Sequence, residues 1–218
     1  MAGSFFKSLP SLFSISDEQA MWRVKMEDDP QAFAQLVRRW EKPIQSLCAR
    51  MTGDVHRGED LAQETFSRIF SRRKEYETSG RFSTFLWRVA LNICYDELRK
   101  IKRRREFVLG DQMEPDGDEE MAVESPSPDV SLVEQERAAV VRNALVRLDE
   151  TYRSVVVLRH YEGLKFREIG EVLEIPEGTV KSRMAEALSQ LNKILSHTLN
   201  EEETSCKKSN QPRESLVI

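Results

Sequence analysis

Glycine and proline are scarce, 9 and 8 residues in 218, and long Val/Ile alternations are missing. A sandwich or barrel needs turn residues between many short strands, so this scarcity argues against both. No run of 18 apolar residues exists, which leaves no candidate membrane span and no expected membrane insertion. The start, MAGSFFKSLPSLFSI, is apolar with one Lys, but Ser and Pro interrupt it. It reads as a flexible arm over residues 1–15 rather than a signal peptide. Cysteine is sparse as well. Cys48, Cys94 and Cys206 lie far apart, odd in number and without a CxxC pair, which favours free thiols in a reducing compartment. His56, His160 and His197 have no metal-ligand spacing to one another or to the cysteines, so neither metal nor cofactor is expected.

What is abundant is charge, 32% of residues beside 39% apolar ones, a balance that suits slim helical elements. The net charge of -4 hides an uneven distribution. Residues 110–129 hold eight acids and no Lys or Arg; without them, 33 basic residues face 29 acidic ones. Residues 81–105 carry eight basic side chains and two acids. A basic patch joined to an acidic linker is a different object from an acidic protein.

Helical periodicity divides the chain. Ser16, with Gln19 three residues on, forms a capping pattern that opens a short helix. Asp29-Pro30 opens a second, with Phe33, Leu36, Val37 and Trp40 at helical spacing, and its stripe continues to a break at Thr52-Gly53. A third helix is predicted from about Glu59, burying Leu61, Thr65, Phe66, Ile69 and Phe70. The fourth runs from about Ser83 to Arg104. Together they predict a compact bundle over residues 16–105. Residues 106–135, acidic and containing SPSPD, predict a flexible linker. A second helical set follows over 136–197: Glu136–Arg147, Glu150–His160, Phe166–Leu173 and about Pro176–Leu195. Residues 198–218 read as a disordered tail. The expected class is all-α, two small helical domains on one linker.

Within the second set, KFREIGEVLEIPEGTVKSRMAEALSQL reads as a helix-turn-helix. Ile175 is placed to plug the turn, and Pro176 suits a first helical position. With Val180 inward, Gly178, Ser182, Ala185 and Ser189 face outward and Lys181 flanks them. Small residues allow a backbone to approach a groove, and polar side chains near the helix start are those that reach base edges. Lys181 and Arg183 are able to neutralise phosphates, and Ser182 to bond a base or phosphate. A plain antiparallel helix pair, with Arg183 bonded to Glu168 or Glu171, is the bland alternative.

On the fourth helix, Arg88, Asn92, Tyr95, Arg99 and Lys102 form one face, which Arg103 to Arg105 extend. Cations interleaved with an aromatic and an Asn suit a nucleic-acid backbone track with a base-reading group. A solvated cationic helix end is the competing reading. Asp60, Gln63, Glu64 and Ser67 make an acidic stripe on the third helix. DNA would repel it, so it is solvent-facing or docks a protein.

Taken together these residues resemble the extracytoplasmic-function (ECF) group of bacterial RNA polymerase sigma factors. DPQAFAQLVRRW, GEDLAQETFSRIF and RFSTFLWRVALNICYDELRKIKRR are similar to that family's region 2. LDETYRSVVVLRHYEGLKFREIGEVLEIPEGTVKSRMAEAL is similar to its region 4. The resemblance implies a cytoplasmic, non-enzymatic factor whose partners are core RNA polymerase and promoter DNA, and it makes an anti-sigma factor plausible. It implies that Asp60, Gln63 and Glu64 dock on the polymerase clamp helices. The loop from Tyr76 through Gly80 and Arg81 to Phe82, with Asn92, would capture a flipped base of the minus-10 element. Arg88, Arg99, Lys102 and Arg103 would hold the adjacent backbone. Gly178, Thr179, Lys181, Ser182 and Arg183 match the minus-35 reading helix. One departure is visible: where the family continues with arginines, this chain has Glu186, Ala187 and Leu188. A helix-turn-helix regulator that binds DNA without core polymerase is the alternative function. An enzyme acting on nucleic acid lacks support, since no P-loop, nucleophile–base pair or carboxylate cluster is present.

Overall fold

The computed structural model describes residues 15–77, 80–109 and 132–209. Helices begin where side chains can satisfy the first free amides. The Ser16 hydroxyl accepts from the Gln19 amide at 3.1 Å and the Gln19 side chain accepts from the Ser16 amide at 3.2 Å, which starts α1, Asp17–Glu27. Asp28, left-handed at φ 52°, ends it. The Asp29 carboxylate accepts from the amides of Gln31 and Ala32, and Pro30 opens α2, Pro30–Thr52. Gly53, at φ 82°, closes α2 as the predicted break requires. α3 spans Val55–Ser71, four residues earlier than predicted, because Asp54 caps it through the Arg57 amide.

A 3₁₀ turn at Arg73–Glu75 leads towards α4, Phe82–Leu109. α5 covers Leu132–Arg147 and α6 Glu150–Val156, which passes into a π-helical turn at Val157–Tyr161 rather than continuing as α-helix to His160. α7 covers Phe166–Leu173, as predicted. α8 runs from Glu177 to Ser209, so residues 198–209 are helical where a disordered tail was expected. The cause is local: no Gly or Pro follows Gly178 until Pro212, and Glu and Lys are good helix formers. Pro176 supplies the carbonyl for the amides of Thr179 and Val180, which makes it the cap residue and not the first helical one. The predicted arm to residue 14, most of the acidic linker (110–131) and the tail from 210 lie outside the described residues.

α2 and α3 meet backbone to backbone: a Cβ on Gly58 would stand 2.7 Å from the Ala49 nitrogen. α1 and α4 complete the first bundle. Its centre holds Met21, Leu36, Ile44, Leu47, Leu86 and Leu91, each at most 1% exposed. An aromatic group fills the end nearest the α4 start, with Trp40 edge-on to Trp87 at 5.6 Å and to Phe82 at 6.5 Å. The Trp40 indole N–H donates to Asp17 at 2.9 Å, so that polar edge is satisfied where the ring is packed. Phe70 departs from expectation. It is 36% exposed, stacked against Phe33 at 5.0 Å and covered by the Arg73 guanidinium.

The second helical set packs directly onto the first. α5, α6 and the π turn lie against the C-terminal half of α2, and α7 lies along α4. Arg153, on α6, is 5% exposed and donates to the carbonyl of Met51 in the last turn of α2, and to those of Val146 and Leu148. A cation is favoured at a helix C-terminus, where carbonyls lack intrahelical partners. Beside it, the Arg50 guanidinium lies 4.2 Å over the Tyr161 ring. No helix among the described residues is long and apolar enough to cross a membrane.

Candidate nucleic-acid and polymerase interfaces

The α7–α8 unit has the tight turn a helix-turn-helix needs. Gly170 permits it, since a Cβ there would lie 2.8 Å from the Ile175 carbonyl oxygen. Ile175 packs on the core below the turn, and Ile169, Val172, Val180, Met184 and Ala187 are buried between the helices. α8 therefore presents Gly178, Lys181, Ser182 and Ala185 to solvent, as its phasing predicts. Lys181 pairs with Glu177 at 2.7 Å, the Ser182 hydroxyl donates to the Thr179 carbonyl, and Thr179 is half-buried. Arg183, also half-buried, makes neither of the ion pairs the bland alternative required. Glu168 is paired with Arg81 and Glu171 with Arg167. Glu186 is exposed and accepts from Gln190 at 2.9 Å.

On α4 the core side is wider than periodicity suggested, because Trp87, Ala90, Leu91 and Cys94 are buried beside Leu86 and Ile93. Cys94 and Cys48 are both buried, and the Cys48 contact and burial together push the Cys94 thiol well above its ordinary range. Asn92, Arg99, Lys102 and Arg103 are exposed along the opposite face. Arg99 reaches Asp96 at 3.1 Å. Tyr95 is half-buried against α6, and desolvation raises its hydroxyl above the ordinary tyrosine value in spite of a hydrogen bond with Ser154.

The loop before α4 requires a correction. Tyr76 and Phe82, the two ends of the loop expected to capture a flipped base, are 3% and 0% exposed. Their rings pack against each other at 6.3 Å, and Phe82 also against Trp40. A ring enclosed on both faces has no surface on which a base can stack. Burying a side chain of that size contributes about 1.5–3 kcal/mol to the fold, so it does not swing out lightly. The exposed members of the predicted loop are Glu77, Gly80 and Arg81; Thr78 and Ser79 lie outside the described residues. The Lys25 ammonium donates to the Tyr76 carbonyl at 2.6 Å and Glu18 accepts from the Phe82 amide at 3.3 Å, which fixes the flanks of the loop.

On α3, Asp60, Gln63, Glu64 and Ser67 are exposed as one stripe. Glu64 is paired with Arg68, one turn on. The stripe borders a groove of 580 Å³ between α3 and α4, floored by Leu61 and Ile93 and edged by Arg68, Glu97 and Arg103. Periodicity within one helix cannot show this groove, because its second wall comes from another.

Sequence reasoning also missed what α4 touches. The Arg88 guanidinium is 2.8 Å from the Glu174 carboxylate and donates to the carbonyls of Glu171, at 2.7 Å, and Val172, at 3.4 Å. Arg81 meets Glu168 at 2.7 Å. Arg88, Asn92, Tyr95 and Arg99 of the first bundle share a 270 Å³ cavity with Glu174 and Arg183 of the second. No local pattern announces contacts between residues more than 80 positions apart.

Two family profiles match, Sigma-70 region 2 over residues 36–105 and Sigma-70 region 4 over residues 138–191. The chain is 34% identical over 173 residues to the ECF RNA polymerase sigma factor SigW of Bacillus subtilis, covering 77% of this chain and 90% of that one. It is 30% identical to the RNA polymerase sigma-H factor of Pseudomonas aeruginosa, over 85% of this chain and 96% of that one. Among solved structures it is similar in fold, with a TM-score of 0.59 and 21% identity, to the Bartonella quintana sigma factor RpoE crystallised with the anti-sigma factor NepR. That likeness covers 75% of this chain and 96% of the other. The helix order, the helix-turn-helix unit and these matches agree: the chain belongs to the ECF sigma factors of RNA polymerase.

Proposed function

We propose that this chain binds core RNA polymerase through the α3 stripe and directs initiation by reading promoter DNA with α4 and α8. The observation that carries this reading is the placement of two oppositely charged surfaces side by side on one bundle. Asp60, Gln63 and Glu64 stand exposed on α3, and Asn92, Arg99, Lys102 and Arg103 stand exposed on α4. The acidic stripe suits a protein partner because DNA would repel it. The cationic face suits DNA, because each phosphate neutralised releases counterions and adds affinity. A factor anchored to the polymerase by one helix thereby positions the DNA-holding helix packed beside it.

In this reading Gly80, Arg81 and Asn92 line the pocket for an extruded minus-10 base, and the buried Tyr76 and Phe82 are the floor that holds the loop. Extrusion costs a few kcal/mol, which the pocket's hydrogen bonds and contacts offset. Arg88, Arg99, Lys102 and Arg103 hold the neighbouring phosphates. Lys181, Ser182 and Arg183, with Gly178 and Thr179 at the helix start, read the minus-35 duplex. The protein is an initiation factor acting with polymerase in the cytoplasm. Nucleotidyl transfer belongs to the polymerase. An anti-sigma factor is a further proposed partner, by analogy with the solved relative.

The test is assembly. Mixed with core polymerase, the chain should co-elute in gel filtration. The double substitution Asp60→Lys and Glu64→Lys should abolish co-elution while leaving the helical circular dichroism intact. Undiminished co-elution would remove the α3 stripe from the interface.

A further inference from the structure

We propose that Trp22 of α1 is a stacking platform for an unpaired base of the minus-10 strand, the neighbour of the base taken up by the loop. The inference rests on the proposed capture of that base by Gly80, Arg81 and Asn92. Stacking on an aromatic face is a sequence-tolerant source of affinity for single-stranded nucleic acid. The enclosed rings of Tyr76 and Phe82 cannot supply it. Trp22 is 46% exposed. The other two tryptophans are packed: Trp87 is 4% exposed, and Trp40 lies edge-on to Trp87 and to Phe82. The Trp40 indole N–H is bonded to Asp17, whereas that of Trp22 has no partner among the described residues.

The placement of Trp22 gives its exposure a meaning. Glu18, Trp22 and Lys25 are spaced i, i+4, i+7, so they share one face of α1, with successive Cβ atoms about 5–6 Å apart. The outer two hold the loop. The Glu18 carboxylate accepts from the Phe82 amide at 3.3 Å, and the Lys25 ammonium donates to the Tyr76 carbonyl at 2.6 Å. Both ends of the loop are therefore anchored to the α1 face that carries the indole. Glu18 is the acid on this face, and its carboxylate is engaged by an amide. Lys74 donates to the Lys25 carbonyl at 2.6 Å and to Asp28 at 3.0 Å, which brings a second ammonium to the same edge. Met26, exposed and one turn on, extends the apolar strip.

A tryptophan scattered elsewhere on the surface would need no explanation. This one stands between the two anchors of a base-capture loop, with ammonium groups beside it. Such a site offers a nucleotide what it requires: a π-face for the base, an N–H donor for its edge, and cations for its phosphate. Extruding one base deprives its neighbour of a stacking partner. The indole replaces that partner, so part of the stacking lost on unpairing is regained on the protein.

The test uses the full chain assembled with core polymerase, a fluorescent single-stranded DNA 20-mer of mixed sequence, and the same 20-mer as a duplex. Trp22→Leu keeps an apolar side chain and removes the ring; Trp22→Tyr restores a ring. The proposal expects Trp22→Leu to bind the single strand about tenfold more weakly than wild type, the scale of one lost stacked base, with an unchanged salt dependence. It expects Trp22→Tyr to recover most of that loss, and both variants to co-elute with polymerase and bind the duplex as wild type does. Equal single-strand affinity in wild type and Trp22→Leu would overturn the proposal. A loss that Trp22→Tyr does not recover, or one that appears equally on the duplex or in co-elution, would make Trp22 a support of the fold and overturn it too. A wild-type assembly that binds the single strand no better than core polymerase alone would remove the DNA role of the loop, and the proposal with it.

Discussion

The nitrogen of Ala49 lies 2.7 Å from where a Cβ would stand on Gly58, so α2 and α3 cross with no room for a side chain at position 58. The blocking atoms are the Ala49 nitrogen, Cα and Cβ, none of which can rotate away. Gly58→Ala should therefore destabilise the first bundle by about 1–3 kcal/mol, the usual cost of overpacking. A helix gains about 1 kcal/mol from the same change where space is open. Thermal unfolding decides between them: a lowered Tm is expected, and a raised one would mean that the helices separate at little cost.

Arg153 supports two domains at once. Its guanidinium holds the carbonyls of Met51, Val146 and Leu148, and burial lowers its pKa from the ordinary arginine value. Arg153→Met keeps the bulk and removes the donors. Each buried carbonyl left without a partner costs about 1–3 kcal/mol, so a loss of several kcal/mol is expected by denaturant titration. A variant as stable as the wild type would show that the carbonyls find other donors.

Acid should loosen the helix starts. The Asp149 carboxyl is held below the ordinary carboxylate range, first by its hydrogen bond from the Thr151 side chain. The lowered value means that the ionised cap stabilises the fold fully above about pH 4, and that this contribution is lost as pH falls through the folded-state value. Asp149→Ala should cost about 1 kcal/mol at pH 7, and its deficit against wild type should shrink as pH falls below about 4. Asp149→Asn keeps an acceptor and should lose less at neutral pH. A deficit for Asp149→Ala that is constant from pH 7 to pH 2.5 would contradict the assignment. Glu162 has the opposite sign: its raised carboxyl contributes more as pH falls.

The departure at Glu186 is testable as a gain. Glu186 is exposed on α8, one turn beyond Ser182, and bonded only locally to Gln190. Glu186→Arg replaces an acid that repels phosphate with a cation that attracts it. Affinity for a minus-35 duplex at moderate salt should rise, with a steeper salt dependence. An unchanged affinity and slope would place Glu186 outside the DNA interface.

Much of the architecture was legible where the signal is local. Ser16 with Gln19, Asp29-Pro30 and Gly53 all mark helix ends within four residues, and α7 begins and ends where its apolar spacing indicates. The exposed face of α8 followed from placing Val180 inward. What was illegible depends on distant partners. Phe82 and Tyr76 look like free aromatics in a loop until Trp40, 42 residues upstream of Phe82, is seen to enclose the group. Nothing local to Arg88 announces that Glu174 and the carbonyls of Glu171 and Val172 lie against it. Phe70 was assigned to the core by phase, yet its position at the edge leaves it against Phe33 and Arg73. α8 runs past the expected end at Leu195 because Glu and Lys sustain a helix once a packed segment has nucleated it.

The central claim is that this chain confers promoter-specific initiation on core polymerase. Transcription from a promoter library, with core polymerase alone and with the chain added, tests it directly. The account predicts discrete start sites that appear only with the chain and disappear with the Asp60→Lys, Glu64→Lys variant. No initiation above core alone, with the chain binding duplex DNA specifically by itself, would contradict it and leave a helix-turn-helix regulator in its place.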